Sequence, residues 1–112
     1  MTVSECLTLT DSICPNGVEA GVKCRWLSEL EGRIRMELLG AVGPVVPLDA
    51  ETDGNITLSA PHPYDQLYWM YLTALVELQM GDETRYENRA ALFNTAYQNY
   101  AKHLMRQRGA VD

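Results

Sequence analysis

Histidine, paired cysteines, basic charge and long apolar runs are all scarce in this chain, and each shortage removes a class of function. Only two histidines, His62 and His103, stand in 112 residues. No H-x-x-x-H, G-x-S-x-G, Walker or G-x-G-x-x-G pattern occurs, so no metalloprotease, hydrolase or nucleotide-binding signature is present. His62 lies between Pro61 and Pro63, where a turn role is expected. His103 falls late in a helical pattern, where an imidazole complements the helix dipole. Glu29 and Glu31 are two apart and project to different sides of a helix, so they form no carboxylate dyad. The three cysteines, Cys6, Cys14 and Cys24, are odd in number and never form a C-x-x-C pair. They read as small buried hydrophobes in a reducing compartment. A Cys6–Cys14 or Cys14–Cys24 disulfide stays open. No apolar run approaches the ~18 residues that span a bilayer. The best candidate, Leu67 to Val76, is followed by Glu77 and Gln79. The opening Met1-Thr2-Val3-Ser4-Glu5-Cys6 lacks a basic stretch, so no signal peptide is expected. Nine basic against fifteen acidic residues give a net charge of −6. That balance argues against sequence-specific or general nucleic-acid binding, which needs a basic face. No enzyme, cofactor, metal or membrane contact is expected.

What is abundant is helical periodicity. Tyr64, Tyr68, Tyr71, Leu75 and Leu78 step by four and three, and Tyr86, Ala90, Phe93, Tyr97, Tyr100 and Leu104 do so after a Gly81-Asp82 break. Each set holds one helix face. The short break predicts an antiparallel helical hairpin. A second stripe, Trp69, Leu72, Val76 and Met80, leaves only Gln66, Thr73 and Glu77 as a polar window. The helix over 62–80 thus carries more apolar surface than a four-helix monomer readily covers. The last helix is expected over 83–107, with Asn88, Thr95, Asn99, Lys102 and Arg106 outward. Earlier, Thr2 and Glu5 form a capping box for a helix over 3–13. Pro15 ends it, and Asn16 is placed to cap a helix over 17–39. That helix buries Leu27, Leu30, Ile34 and Leu38. Its other side carries the pairs Glu29–Arg33, Arg33–Glu37 and Glu31–Arg35, read as a solvated face. Gly32 costs about 1 kcal/mol in a helix interior. It either admits a close approach or is simply tolerated.

Residues 41–60 differ in kind. Pro44, Pro47 and Gly54 interrupt them, and Asp49, Glu51 and Asp53 make them acidic. Val45-Val46 and Ile56-Thr57-Leu58 flank an Asp53-Gly54-Asn55 turn, so an extended loop or a short β-hairpin is expected. The fold class that results is all-α: one domain over 1–112, with four helices, a long hairpin of the third and fourth, and this excursion between the second and third. Charge is uneven, with four bases and nine acids in 1–60 but five and six in 61–112.

Several blocks resemble a known family. They are Thr2-Val3-Ser4-Glu5, Cys14-Pro15-Asn16 and Arg25-Trp26-Leu27-Ser28-Glu29-Leu30-Glu31-Gly32-Arg33-Ile34. The later ones are Pro61-His62-Pro63-Tyr64-Asp65-Gln66-Leu67-Tyr68-Trp69, Arg85-Tyr86-Glu87-Asn88, Leu92-Phe93-Asn94-Thr95-Ala96-Tyr97-Gln98 and Tyr100-Ala101-Lys102. In order and spacing they resemble small phage and prophage proteins of Firmicutes, similar to the head–tail adaptor (head completion) proteins of long-tailed phages. The resemblance covers Thr2–Leu39 and Pro61–Arg108. It implies a helical subunit of a ring on the portal vertex, extending the DNA channel toward the tail, in the host cytoplasm during assembly and then in the virion neck. Its partners would be the portal, other neck or tail proteins, and copies of itself. An acidic channel wall would let DNA slide without sticking. The candidate interface residues are Asp49, Glu51 and Asp53, expected to meet Lys102, Arg106 or Arg108 of a neighbour. Trp69 joins them because it lies off the main stripe, although a core contact competes for it. The competing functions are a non-enzymatic phage assembly factor and a small helical regulatory or binding module acting as a dimer.

Overall fold

A computed structural model describes residues 1–109, and among them four α-helices and no β-strand. The first helix, α1, spans Val3–Ile13. Its capping box forms as the sequence implies. Thr2 Oγ1 accepts from the Glu5 N–H at 3.1 Å, and the Thr2 N–H donates to Glu5 Oε1 at 3.4 Å. Such a cap is worth about 1 kcal/mol. The second helix, α2, spans Ala20–Glu37 and starts three residues later than position 17. The reason lies in Asn16, whose side chain folds onto the turn instead of capping a helix. Its Oδ1 accepts from the Val18 N–H at 2.9 Å, and its Nδ2 donates to Cys14 O at 2.9 Å.

The third helix, α3, spans Gln66–Gln79. It begins at 66 rather than 62 because the N–H groups of Tyr64 and Asp65 both donate to Pro61 O, closing a tight turn first. Its end is a Schellman motif. Gly81 takes φ +81, the Gly81 N–H donates to Leu78 O, and the Asp82 N–H donates to Glu77 O. Asp82 then caps the fourth helix, α4, Glu83–Gly109, by accepting from the Arg85 N–H at 3.0 Å. One Gly-Asp pair thus stops one helix and starts the next.

Helix α3 occupies the centre and packs against α1, α2 and α4, while the backbone of α4 lies along α3. Tyr64 meets Tyr100 and stacks on His103, and Tyr71 meets Phe93. The core holds Val3, Cys6, Leu27, Leu30, Ile34, Leu67, Tyr68, Leu72, Phe93 and Tyr100. Each fully buried large apolar side chain contributes about 1.5–3 kcal/mol.

This arrangement corrects two expectations. The polar window of α3 is closed, because Thr73 and Glu77 are both buried. The surplus apolar surface of α3 is also absorbed within the monomer, since both stripes are covered along most of their length. Only Leu78 and Met80, at the end of the helix, remain exposed.

Candidate assembly surface

Residues 38–65, which we call the strap, join α2 to α3 without a helix. They turn back along α2 and are fastened at a few points. The Ala41 N–H donates to Arg35 O. Val45 then packs over Gly32, where an added Cβ would stand 3.8 Å from the valine, an ordinary contact. Gly32 is therefore tolerated rather than required. Next, the Leu48 N–H donates to Ser28 Oγ at 2.9 Å. Of the two expected forms, extended loop or short β-hairpin, the hairpin does not form among the described residues. Pro44 and Pro47 lack an N–H, Gly43 bends the chain at φ +94, and Thr57 bridges to Thr2 instead of to the valines. Around that bridge, the Val3 N–H donates to Ile56 O and the Ser4 N–H to Gly54 O. These bonds also satisfy two of the four unpaired N–H groups at the start of α1.

The last fastening is a buried acid. Glu31 is 6% exposed, although its spacing to Arg35 reads as a solvated pair. Its Oε2 accepts from the Ser59 N–H and Oγ–H, each at 2.9 Å, and its Oε1 accepts from the Tyr68 hydroxyl at 2.7 Å. The Tyr68 oxygen in turn accepts from the Ala60 N–H at 2.9 Å. Glu31 forms no ion pair among the described residues. Three charge-assisted hydrogen bonds compensate a burial that otherwise costs several kcal/mol. Burial, followed by the Glu31 charge, pushes the Tyr68 phenol well above its ordinary range. The sequence offered no cue for this, because an acid at i,i+4 from arginine looks like surface.

Two further polar clusters tie helices together. Glu77, 2% exposed, accepts from Arg89 Nε at 3.3 Å and from the Cys14 thiol at 3.2 Å, joining α1, α3 and α4. Burial and then the Glu77 bond push the Cys14 thiol up, so it is held protonated rather than reactive. Lys23, buried, donates to Asp11 and Asn16 and braces the α1–α2 turn. Burial pushes the Asp11 carboxyl up, but the bonds from Lys23 and Asn16 outweigh it and leave the group below its ordinary value.

The interface candidates are distributed as follows. Asp49 and Asp53 build the strap's own turn: Asp49 Oδ1 accepts from the Glu51 N–H, and Asp53 Oδ2 accepts from the Asp49 N–H. Glu51 is exposed beside them. Lys102 and Arg106 are exposed on α4 and form no ion pair among the described residues. Arg108 is engaged within the chain, its Nη2 donating to Leu38 O at 2.6 Å and so capping the end of α2. Trp69 is half-buried against the core. The acidic turn follows Leu48, which touches Cys24, and the basic end of α4 touches Leu38. At about 1.5 Å per residue, Cys24 and Leu38 are separated by roughly 20 Å along α2. Acid and base therefore do not meet inside one subunit.

Sequence reasoning missed the strap's outer row. Val42 is 100% exposed and Val46 81%, with Met36 and Leu39 exposed nearby. The N–H groups of Val42, Gly43, Val45 and Val46 donate to nothing among the described residues. A run of valines between prolines carries the signal, but only the fold separates its inner row from its outer one. No described helix is long and apolar enough to cross a membrane, and no described group of three His, Cys, Asp or Glu side chains is placed to hold a metal ion. No protein-family model, curated protein or solved structure matches the chain.

Proposed function

We propose that this chain is a structural head–tail adaptor of a phage or prophage. Copies of it would form a ring on the portal vertex that extends the DNA channel toward the tail. The observation that carries this reading is the separation of charge: Glu51 stands exposed at one end of α2, Lys102 and Arg106 at the other. Opposite charges that cannot meet within a subunit suit a head-to-tail contact, and a head-to-tail contact whose rotation closes generates a ring. The exposed valines of the strap would supply the apolar centre, and the charges the rim, which sets register and encounter rate more than affinity. In this reading α3 and α4 are an antiparallel hairpin and serve as scaffold. The order of their contacts, Tyr64 with Tyr100, Tyr71 with Phe93 and Glu77 with Arg89, supports it. Partners are the portal and neighbouring neck proteins, in the host cytoplasm and then in the virion. The part played is architectural and not enzymatic.

The test is assembly on portal-bearing heads. Glu51→Arg and Arg106→Glu should each lower tail joining, and the charge-swapped double variant should regain part of it. Both positions are exposed, so the variants should fold. Wild-type efficiency in both single variants would remove these charges from the interface. An unaltered protein that never associates with portal or heads would sink the adaptor reading and favour a dimeric binding module.

A further inference from the structure

The strap presents its side chains differently: Val45, Pro47 and Leu48 line the groove against α2, while Val42 is fully exposed and Val46 largely so. Elsewhere on the molecule a groove of about 410 Å³ runs between α3 and α4, lined by Tyr64, Met70, Leu92, Thr95 and Ala96 among others. Its size lies within the range of small binding clefts. Leu92 is 59% exposed at its edge. We infer that the outer row of the strap plugs this groove in a second copy of the chain.

Charge and register single out a second copy as the occupant. In the strap, the apolar Val46-Pro47 is followed by the acidic turn that starts at Asp49, roughly 10 Å further on if extended. Along α4, the apolar wall at Ala96 is followed by Lys102, roughly 9 Å further on, and then by Arg106 one turn later. An apolar-then-acidic ligand thus faces a groove that ends at Asn99 and is followed along α4 by exposed Lys102 and Arg106, with matching spacing. The larger groove beneath the strap lacks this match. It is edged by Arg25–Glu29 and Arg33–Glu37, which already pair with each other. Plug and groove are different surfaces, so each copy offers one of each and the contact is heterologous. The inference rests on the self-association in the adaptor reading, but not on the portal.

Disulfide trapping tests it, because the native Cys6, Cys14 and Cys24 are buried and give little background. Chains carrying Val46→Cys are mixed with chains carrying Leu92→Cys, at the highest soluble concentration and again on portal-bearing heads. The control pair is Val46→Cys with Thr8→Cys, an exposed position on α1. The 46–92 cross-link should form at least tenfold faster than the 46–8 one, and a chain bearing both substitutions should give a ladder of multimers. Adding Lys102→Glu and Arg106→Glu to the groove chain should slow trapping several-fold. Equal rates for the two pairs in both settings overturn the plug, whether or not the protein assembles. If heads are completed while 46–92 traps no faster than control, the adaptor reading stands and this contact falls. If 46–92 traps preferentially but heads are never bound, the contact stands and the adaptor reading falls.

Discussion

Along α3 and α4, large apolar side chains at three- and four-residue spacing hold the chain, whereas residues 38–65 combine a few apolar anchors near their end, the buried Leu58 and Ala60 and the stacked Tyr64, with a handful of polar contacts. Tyr68, Leu72, Phe93 and Tyr100 are buried, and removing any one leaves a cavity in a shared core. The strap's polar contacts are with Ser28 at Leu48, with the N-terminal residues at Gly54 to Leu58, and with Glu31 and Tyr68 at Ser59 and Ala60. Between Val42 and Pro47 it is anchored only by packing on α2. One region spends its apolar residues inward and so fixes a shape; the other leaves valines outward and so has surface to offer.

The largest effect should come from the packed region. Phe93→Ala should lower stability by about 3–5 kcal/mol, because it deletes a buried ring against Tyr71 and Tyr97. Urea unfolding followed by circular dichroism would report it. A loss under about 1 kcal/mol would mean that α4 is not held by this core. A smaller effect should come from the junction of the two regions. Tyr68→Phe leaves the Ala60 N–H without its acceptor and Glu31 without one donor. That should cost about 1–3 kcal/mol. Native-state hydrogen exchange should locate the loss at Ser59 and Ala60 before α3. Equal acceleration along α3 would show that the strap is not a separate unit. The smallest effect, of opposite sign, should come from Gly32→Ala. The added methyl meets Val45 at 3.8 Å and replaces a helix-interior glycine, so stability should rise by about 0.5–1 kcal/mol. A destabilised variant would mean that the strap lies closer to α2 than described.

The same contrast decides what was legible in the sequence. The four helices were readable because period 3.6 and punctuation agree: Thr2 with Glu5, Pro15, and Gly81 with Asp82 all fall where the helices begin or end. The helix starts differ from positions 17 and 62 because Asn16 and Pro61 serve turns that compete with capping, and spacing cannot rank the two. Glu31 and Glu77 look like surface in the sequence because their burial depends on partners far along the chain, Ser59 and Tyr68 for one and Cys14 and Arg89 for the other. Asp49, Glu51 and Asp53 stand out in the sequence for their charge within a Pro-interrupted excursion, and two of them also build the turn that carries them. Arg108 stands out for its charge in the same way, and the fold shows that it also caps α2. Long-range polar contacts have no period, so they stay hidden until the fold is known.

In the proposed assembly the helices are scaffold and the strap is the assembling surface. Hydrogen–deuterium exchange of the protein alone and of the protein bound to portal-bearing heads tests it most directly. The amides of Val42, Gly43, Val45 and Val46, which donate to nothing among the described residues, should gain protection on binding, while those of α3 should exchange as before. Protection that appears only along the helices, with residues 42–47 exchanging freely in the bound state, would contradict it.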